Sequence, residues 1–135
     1  GTSQENLYTY TLPAGSLLKD GDTIKCEFGG IFTGNANTKR IYPKFATNVL
    51  ATGQTSSASA TDWTVDFYLI RVSSSVVRFV VEFTTTGDAP MIESDEITGL
   101  DLEGTSYDID LDGRSVSAAG ELTAHSGFGL FYPGV

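Results

Sequence analysis

The sequence predicts an all-β fold, an antiparallel β-sandwich or jelly roll of about eight strands. Three observations predict it. The chain is rich in Thr, Ser, Val, Gly and aromatic residues and poor in helix formers. Runs in which apolar and polar residues alternate recur along it, separated by clusters of Gly, Asn, Asp and Ser. No segment carries a helical apolar period over about 11 residues. The 135 residues fit one domain. A chain of this size buries roughly two-thirds of its unfolded surface, so it needs no disulfide or metal staple. A hydrophobic fraction of 40% excludes disorder.

The elements follow in order. In Leu7 to Leu12, Tyr8, Tyr10 and Leu12 share one face, and Thr9 and Thr11 the other. Pro13-Ala14-Gly15 ends this run, and Asp20-Gly21-Asp22 signals a turn. In Thr23 to Thr33, Ile24, Cys26 and Phe28 alternate with Lys25 and Glu27. Gly29-Gly30 points to a bulge or a close backbone approach. In Lys39 to Phe45, Ile41, Pro43 and Phe45 face one way. Pro43 lacks a ladder donor, so this strand is expected at an edge or at a bulge. A short run, Val49 to Ala51, precedes a Ser/Thr/Gly/Ala loop from Gly53 to Ala60. The clearest strand runs from Trp63 to Arg71, and its hairpin partner from Val76 to Thr85, joined by Ser73-Ser74-Ser75. Gly87 to Gly104 reads as irregular and acidic. Tyr107 to Leu111, closed by an Asp112-Gly113 turn, and Leu122 to Tyr132 complete the set.

Charge narrows the function. Acidic residues number 17 against 8 basic, giving a net charge of −9. That argues against nucleic acid and anionic lipid, which need clustered Lys and Arg. No stretch of about 18 apolar residues predicts a membrane span. A single Cys makes no intrachain disulfide, and a single His removes mechanisms that need two. Cys26 reads as a buried strand residue.

Three constellations invite chemistry. His125-Ser126-Gly127 suggests a hydrolase, but a nucleophile elbow needs Gly where Ala124 and Phe128 stand. Glu93, Asp95, Glu96, Asp101 and Glu103 supply carboxylates for glycoside hydrolysis without an ordering principle. Asp108, Asp110 and Asp112-Gly113 match the first half of a calcium loop, but Ala119 stands where the bidentate Glu belongs. If these three bound Ca2+, Asp101, Glu103 and Glu121 could add oxygens. The alternative is a solvated strand face. No other cofactor is expected.

Several segments together carry a resemblance: Leu12-Pro13-Ala14, Gly21-Asp22-Thr23-Ile24, Phe28-Gly29-Gly30-Ile31-Phe32, Asn35-Ala36-Asn37-Thr38-Lys39, Trp63 to Val72 and Leu100-Asp101-Leu102. In this order they resemble the C-terminal jelly-roll domain of tailed-bacteriophage fibres, head fibres and spikes, a fold similar to tumour-necrosis-factor and C1q heads. The resemblance spans residues 7–132. It implies a homotrimer on a virion surface, made in a bacterial cytoplasm, that contacts a host-surface glycan or protein. It implies no catalytic residues. The stretch from Tyr107 to Glu121 is more acidic than the resemblance leads one to expect.

The expected organisation is a trimmed or linker edge at 1–6 and a single jelly roll at 7–135. Gly1-Thr2-Ser3 lacks an initiator Met and a leader, and the domain is expected to be the C-terminal part of a longer fibre or spike protein. The expected function is non-enzymatic attachment to a host receptor. Loops on a rigid sandwich carry binding, so Asn35, Asn37, Tyr42, Gln54, Asp88 and Glu93, on or near Gly34–Asn37, Gly53–Ala60 and Gly87–Glu96, are the receptor candidates. If Trp63, Val65, Phe67 and Leu69 face the core, Tyr68, Ile70 and Val80 point outward and are the trimer-interface candidates. The alternatives are a structural trimerisation or capsid-decoration domain and a carbohydrate-binding module, with a hydrolase last.

Overall fold

A computed structural model describes residues 4–115 and 122–134, Phe128 by its backbone alone. Among these residues there is no helix, and ten strands form two antiparallel sheets packed face to face. The strands are β1 (Glu5–Leu12), β2 (Thr23–Phe32), β3 (Lys39–Phe45), β4 (Asn48–Val49), β5 (Gly53–Thr55), β6 (Asp62–Ser73), β7 (Val76–Thr85), β8 (Met91–Ile97), β9 (Tyr107–Ser115) and β10 (Leu122–Tyr132). The first sheet runs β1-β9-β3, and both β4 and β5 pair with the far side of β3. The second runs β10-β2-β6-β7-β8. The result is a jelly-roll-like β-sandwich.

Alternation decides which side chains fill the space between the sheets. Ile24, Cys26 and Phe28 from β2 are buried, as are Trp63, Val65, Phe67 and Leu69 from β6 and Val77, Phe79, Val81 and Phe83 from β7. Ile41 and Phe45 from β3 and Ile109 and Leu111 from β9 meet them from the first sheet. Each fully buried Val, Leu, Ile or Phe is worth roughly 1.5–3 kcal/mol of transfer free energy. The faces read from the sequence for β1, β2, β3, β6 and β7 are those observed.

The structure departs from the sequence reading in definite places. Among the described residues there are ten strands: the short run at Val49 to Ala51 is present as β4, shifted to Asn48–Val49, and the two additional strands, β5 and β8, are too short or too polar to show alternation. The segment around β8, read as irregular, is an edge strand with Glu93, Asp95 and Glu96 exposed. β9 does not turn at Asp112-Gly113 but continues to Ser115. Gly113 is a close-packing position, since a Cβ there would lie 2.3 Å from the Leu122 side chain. β1 begins at Glu5, so Glu5 and Asn6, read as part of a linker edge, belong to the first sheet, and Gln4 before them donates to Asp112. β3 is not an edge strand. The Pro43 carbonyl accepts from Leu50 N at 2.9 Å. In a strand the N–H and C=O of one residue point to the same side. The missing Pro43 N–H therefore faces the gap between β4 and β5 and costs no ladder bond.

Gly29-Gly30 does mark a close approach. The register of β10 on β2 shifts between Ala124 and Ser126, opposite Gly30 and Gly29.

One end of the sandwich is stapled by backbone hydrogen bonds and a buried cation. Gly15 N donates to Leu102 O, Leu100 N to Ser75 O and Leu102 N to Ser74 O, each within 3.0 Å. Arg71 is buried there. Its guanidinium donates to Leu17 O at 2.8 Å, to Asp20 at 3.1 Å and to Glu103 at 3.2 Å. The Asp22 carboxylate accepts from Leu18 N, Lys19 N and Gly134 N. These bonds, the Gly134 bond foremost, hold its pKa below the ordinary carboxylate value.

Candidate functional site

The opposite end carries three loops that the topology brings together. The β2–β3 loop, the β5–β6 loop and the β7–β8 turn all leave the strands there. These are segments from which the receptor candidates were read. Thr38 and Ser56 hydroxyls lie 2.8 Å apart and join the first two. A Cβ on Gly34 would lie 3.0 Å from Ala58 O, which places the loops in contact. The Thr86 hydroxyl accepts from Thr61 N at 2.9 Å and donates to Ser59 O at 3.2 Å, joining the second loop to the third. Ser, Thr and Asn recur here because their short polar side chains satisfy nearby backbone groups outside regular structure.

The individual candidates fall as follows. Asn35 is half-buried, its Oδ1 accepting from Asn37 N at 3.0 Å and its backbone carbonyl from the buried Lys39 ammonium at 2.9 Å. Asp88 accepts from the Thr55 and Thr85 hydroxyls, tying β5 to β7. Gln54 sits on β5 rather than in a loop, and its Oε1 accepts from Arg40 Nε at 2.7 Å. Glu93 sits on the β8 edge, away from the loop tips. Tyr42 lies mid-strand on the outer face of the first sheet, opposite Asp112. Asn35, Asn37 and Asp88 therefore share one end, while Tyr42 and Glu93 do not join them. The end is a polar surface of hydroxyls, amides and the carboxylates of Asp62 and Asp88, suited to hydrogen-bonded recognition.

The expected interface residues Tyr68, Ile70 and Val80 lie together on the outer face of the second sheet, with Tyr68 opposite Val80. Val72 and Ile92 are exposed nearby, Ile92 at 64%. The face is not purely apolar. Glu27, Asp66 and Glu82 align across β2, β6 and β7 in one row. Lys25 bridges to Glu27 at 2.8 Å, its ammonium 5.5 Å from the Tyr68 ring centroid. Burial pushes the Asp66 carboxyl above its ordinary value, and Glu27 and Glu82 push the same way against Lys25.

Asp108, Asp110 and Asp112 fall on one face of β9, as the alternation predicts. Each is met by donors rather than by further oxygens turned toward a cation. Thr11 donates to Asp108 at 2.8 Å and Thr9 to Asp110 at 2.7 Å. Asp112 accepts from Gln4 at 2.7 Å, Asn6 at 3.0 Å and Lys44 at 3.1 Å. Burial pushes the Asp112 carboxyl up, but Gln4, Asn6 and Lys44 together hold it below its ordinary value. Of the further oxygens considered, Asp101 caps Gly104 N at 3.0 Å and Glu103 pairs with Arg71. Glu121 lies outside the described residues. Among the described residues no group of three His, Cys, Asp or Glu could hold a metal ion. The row is a hydrogen-bonded ladder between strands.

His125 and Ser126 are both exposed, at the register shift of β10. Cys26 is buried, and burial pushes its thiol up to about 12, away from nucleophilic chemistry at neutral pH. No family model and no curated protein matches the chain.

Proposed function

We propose that this chain is a non-enzymatic virion-surface domain, carried on a fibre or spike, that forms trimers and attaches to a host-surface glycan through its three-loop end. The observation that carries the reading is the convergence of the β2–β3, β5–β6 and β7–β8 segments on one polar surface. A glycan offers many hydroxyls and no strong charge, and such a surface answers it with paired donors and acceptors. The family resemblance of the sequence supports the virion setting. Tyr68, Val72 and Ile92, exposed on the face that also carries Ile70 and Val80, support assembly, because apolar side chains gathered on one exposed face are often covered by a partner.

The test uses the whole chain in light scattering and on a glycan array. The expected result is a trimer that binds a narrow set of bacterial surface glycans. Ala36→Arg and Ala58→Arg, at exposed positions in the loops, are expected to abolish glycan binding without changing the melting temperature. A stable monomer removes the trimeric reading and favours a carbohydrate-binding module. A trimer that neither binds glycans nor adheres to host cells leaves the purely structural role.

A further inference from the structure

The sandwich is open along one margin, where β1 of the first sheet and β10 of the second are the edge strands. Between them lies a cleft of about 620 Å³. Its floor is the hydrophobic core itself: Ile24, Cys26, Phe28 and Ile109 line it, exposed by only 1–8%. Its rim is aromatic, with Tyr8 37%, Tyr10 49% and Phe131 53% exposed. The Tyr8 ring packs edge-on against Phe28 with centroids 5.0 Å apart.

We propose that this cleft binds a single uncharged, elongated apolar molecule, of the class of a long-chain alcohol. Three observations carry this. The first is charge. In a chain of net charge −9, no Asp, Glu, Lys, Arg or His lines the cleft. Nothing there balances a carboxylate or an ammonium, and the surrounding excess of acid disfavours an anionic ligand. The second is shape. A floor so little exposed beneath an exposed rim is a recess below the surface, which a flexible hydrocarbon chain enters more readily than the convex surface of a folded partner. The volume lies inside the range of about 300–1,000 Å³ typical of small-molecule sites.

The third is a vacancy in the sequence of β10. The register places Gly127 and Gly129 opposite Phe28 and Cys26, at positions facing the interior. A Cβ on Gly127 would lie 2.7 Å from the Phe28 ring, so that glycine is required by packing. A Cβ on Gly129 would meet nothing closer than 3.6 Å. Packing therefore leaves room at Gly129 for a side chain that would fill the cleft, and the cleft stays open. The site is separate from the three-loop end and from the outer face assigned to assembly, so it does not rest on the function proposed above.

The test is fluorescence titration of the full chain with N-phenyl-1-naphthylamine, an uncharged apolar dye, followed by displacement with 1-dodecanol. The expected result is one saturable dye site per chain, emptied by dodecanol. Gly129→Leu, which fills the cleft, is expected to weaken dye binding at least tenfold with an unchanged circular dichroism spectrum. Tyr10→Ala, at the exposed rim, is expected to weaken it about threefold and covers the case in which Gly129→Leu fails to fold. Absence of saturable binding overturns the proposal, as does binding that neither variant alters. If the dye does not bind and Phe131→Lys dissociates an oligomer, the cleft is covered by a second copy of the chain, which also overturns it.

Discussion

Gly30→Ala and Gly129→Ala add the same methyl group to the same sheet with opposite expected effects. At Gly30 the new Cβ would lie 1.9 Å from the Thr123 carbonyl oxygen and 2.6 Å from the Trp63 ring. Trp63 is 1% exposed and has no space to retreat into. Thr123 is held on β10 opposite Ile31, so moving its carbonyl by more than 1 Å disturbs the ladder beside the register shift. Overpacking a tight core costs about 1–3 kcal/mol, and a strained ladder bond adds about 1 kcal/mol. The expected loss is about 3 kcal/mol. At Gly129 the nearest atom is Lys25 O at 3.6 Å, an ordinary contact. There the alanine restricts the unfolded chain and is expected to stabilise by about 0.4–1 kcal/mol. Urea unfolding followed by far-ultraviolet circular dichroism measures both, avoiding Trp63 fluorescence, which Gly30→Ala perturbs directly. A Gly30→Ala chain within about 0.5 kcal/mol of the parent would refute the reasoning, because the sheets would then have slack that the described contacts deny.

Two further expectations concern charge. Arg71→Met keeps the stem volume but strands the Leu17 carbonyl, and is expected to cost about 2–3 kcal/mol in urea unfolding. The carboxylates of Asp20 and Glu103 are more than half exposed and contribute little, so a loss that vanishes in 0.5 M salt would contradict this assignment. The Asp66 carboxyl is raised in the folded state. The folded chain therefore holds its proton to higher pH than the unfolded chain. Stability falls as pH rises from about 3.8 through that raised value, and the cost is present at neutral pH. Asp66→Asn is expected to raise the melting temperature by about 2–4 °C at pH 7. The gain should shrink below the unfolded value, and a gain independent of pH would rule out the carboxylate row as its cause.

What could be read from the sequence follows from where alternation is strong. β6 and β7 place one face in the core along their whole length, so Trp63 to Leu69 and Val77 to Phe83 declare themselves. β8 is an edge strand whose residues from Ile92 to Glu96 are all exposed, and an acidic run with no buried face reads as a loop. β4 follows a two-residue turn of Ala46 and Thr47, both at positive φ, where Asn-Gly would have been the recognisable signal. Asp112-Gly113 has the composition of a turn but lies within a ladder paired on both sides. The loop candidates were legible one at a time. Their convergence depends on which strands point the same way, which no local pattern encodes. The cleft was hidden for a related reason. Gly127 and Gly129 acquire meaning only once the register sets them opposite Phe28 and Cys26.

The two ends of the sandwich are built differently, and that bears on how freely each can be rewritten. The stapled end depends on main-chain bonds and on Arg71, so insertions there would pull apart contacts between distant segments. The three-loop end is joined largely by exposed hydroxyls. Each such bond contributes only about 1 kcal/mol, and doubling a loop costs about 0.6 kcal/mol more in closure entropy. Randomised segments at 36–37 and 56–59 would leave the core strands undisturbed, because Ala60 and Lys39, which bound them on the core side, are kept. The domain is accordingly a disulfide-free scaffold for selecting new binding specificities.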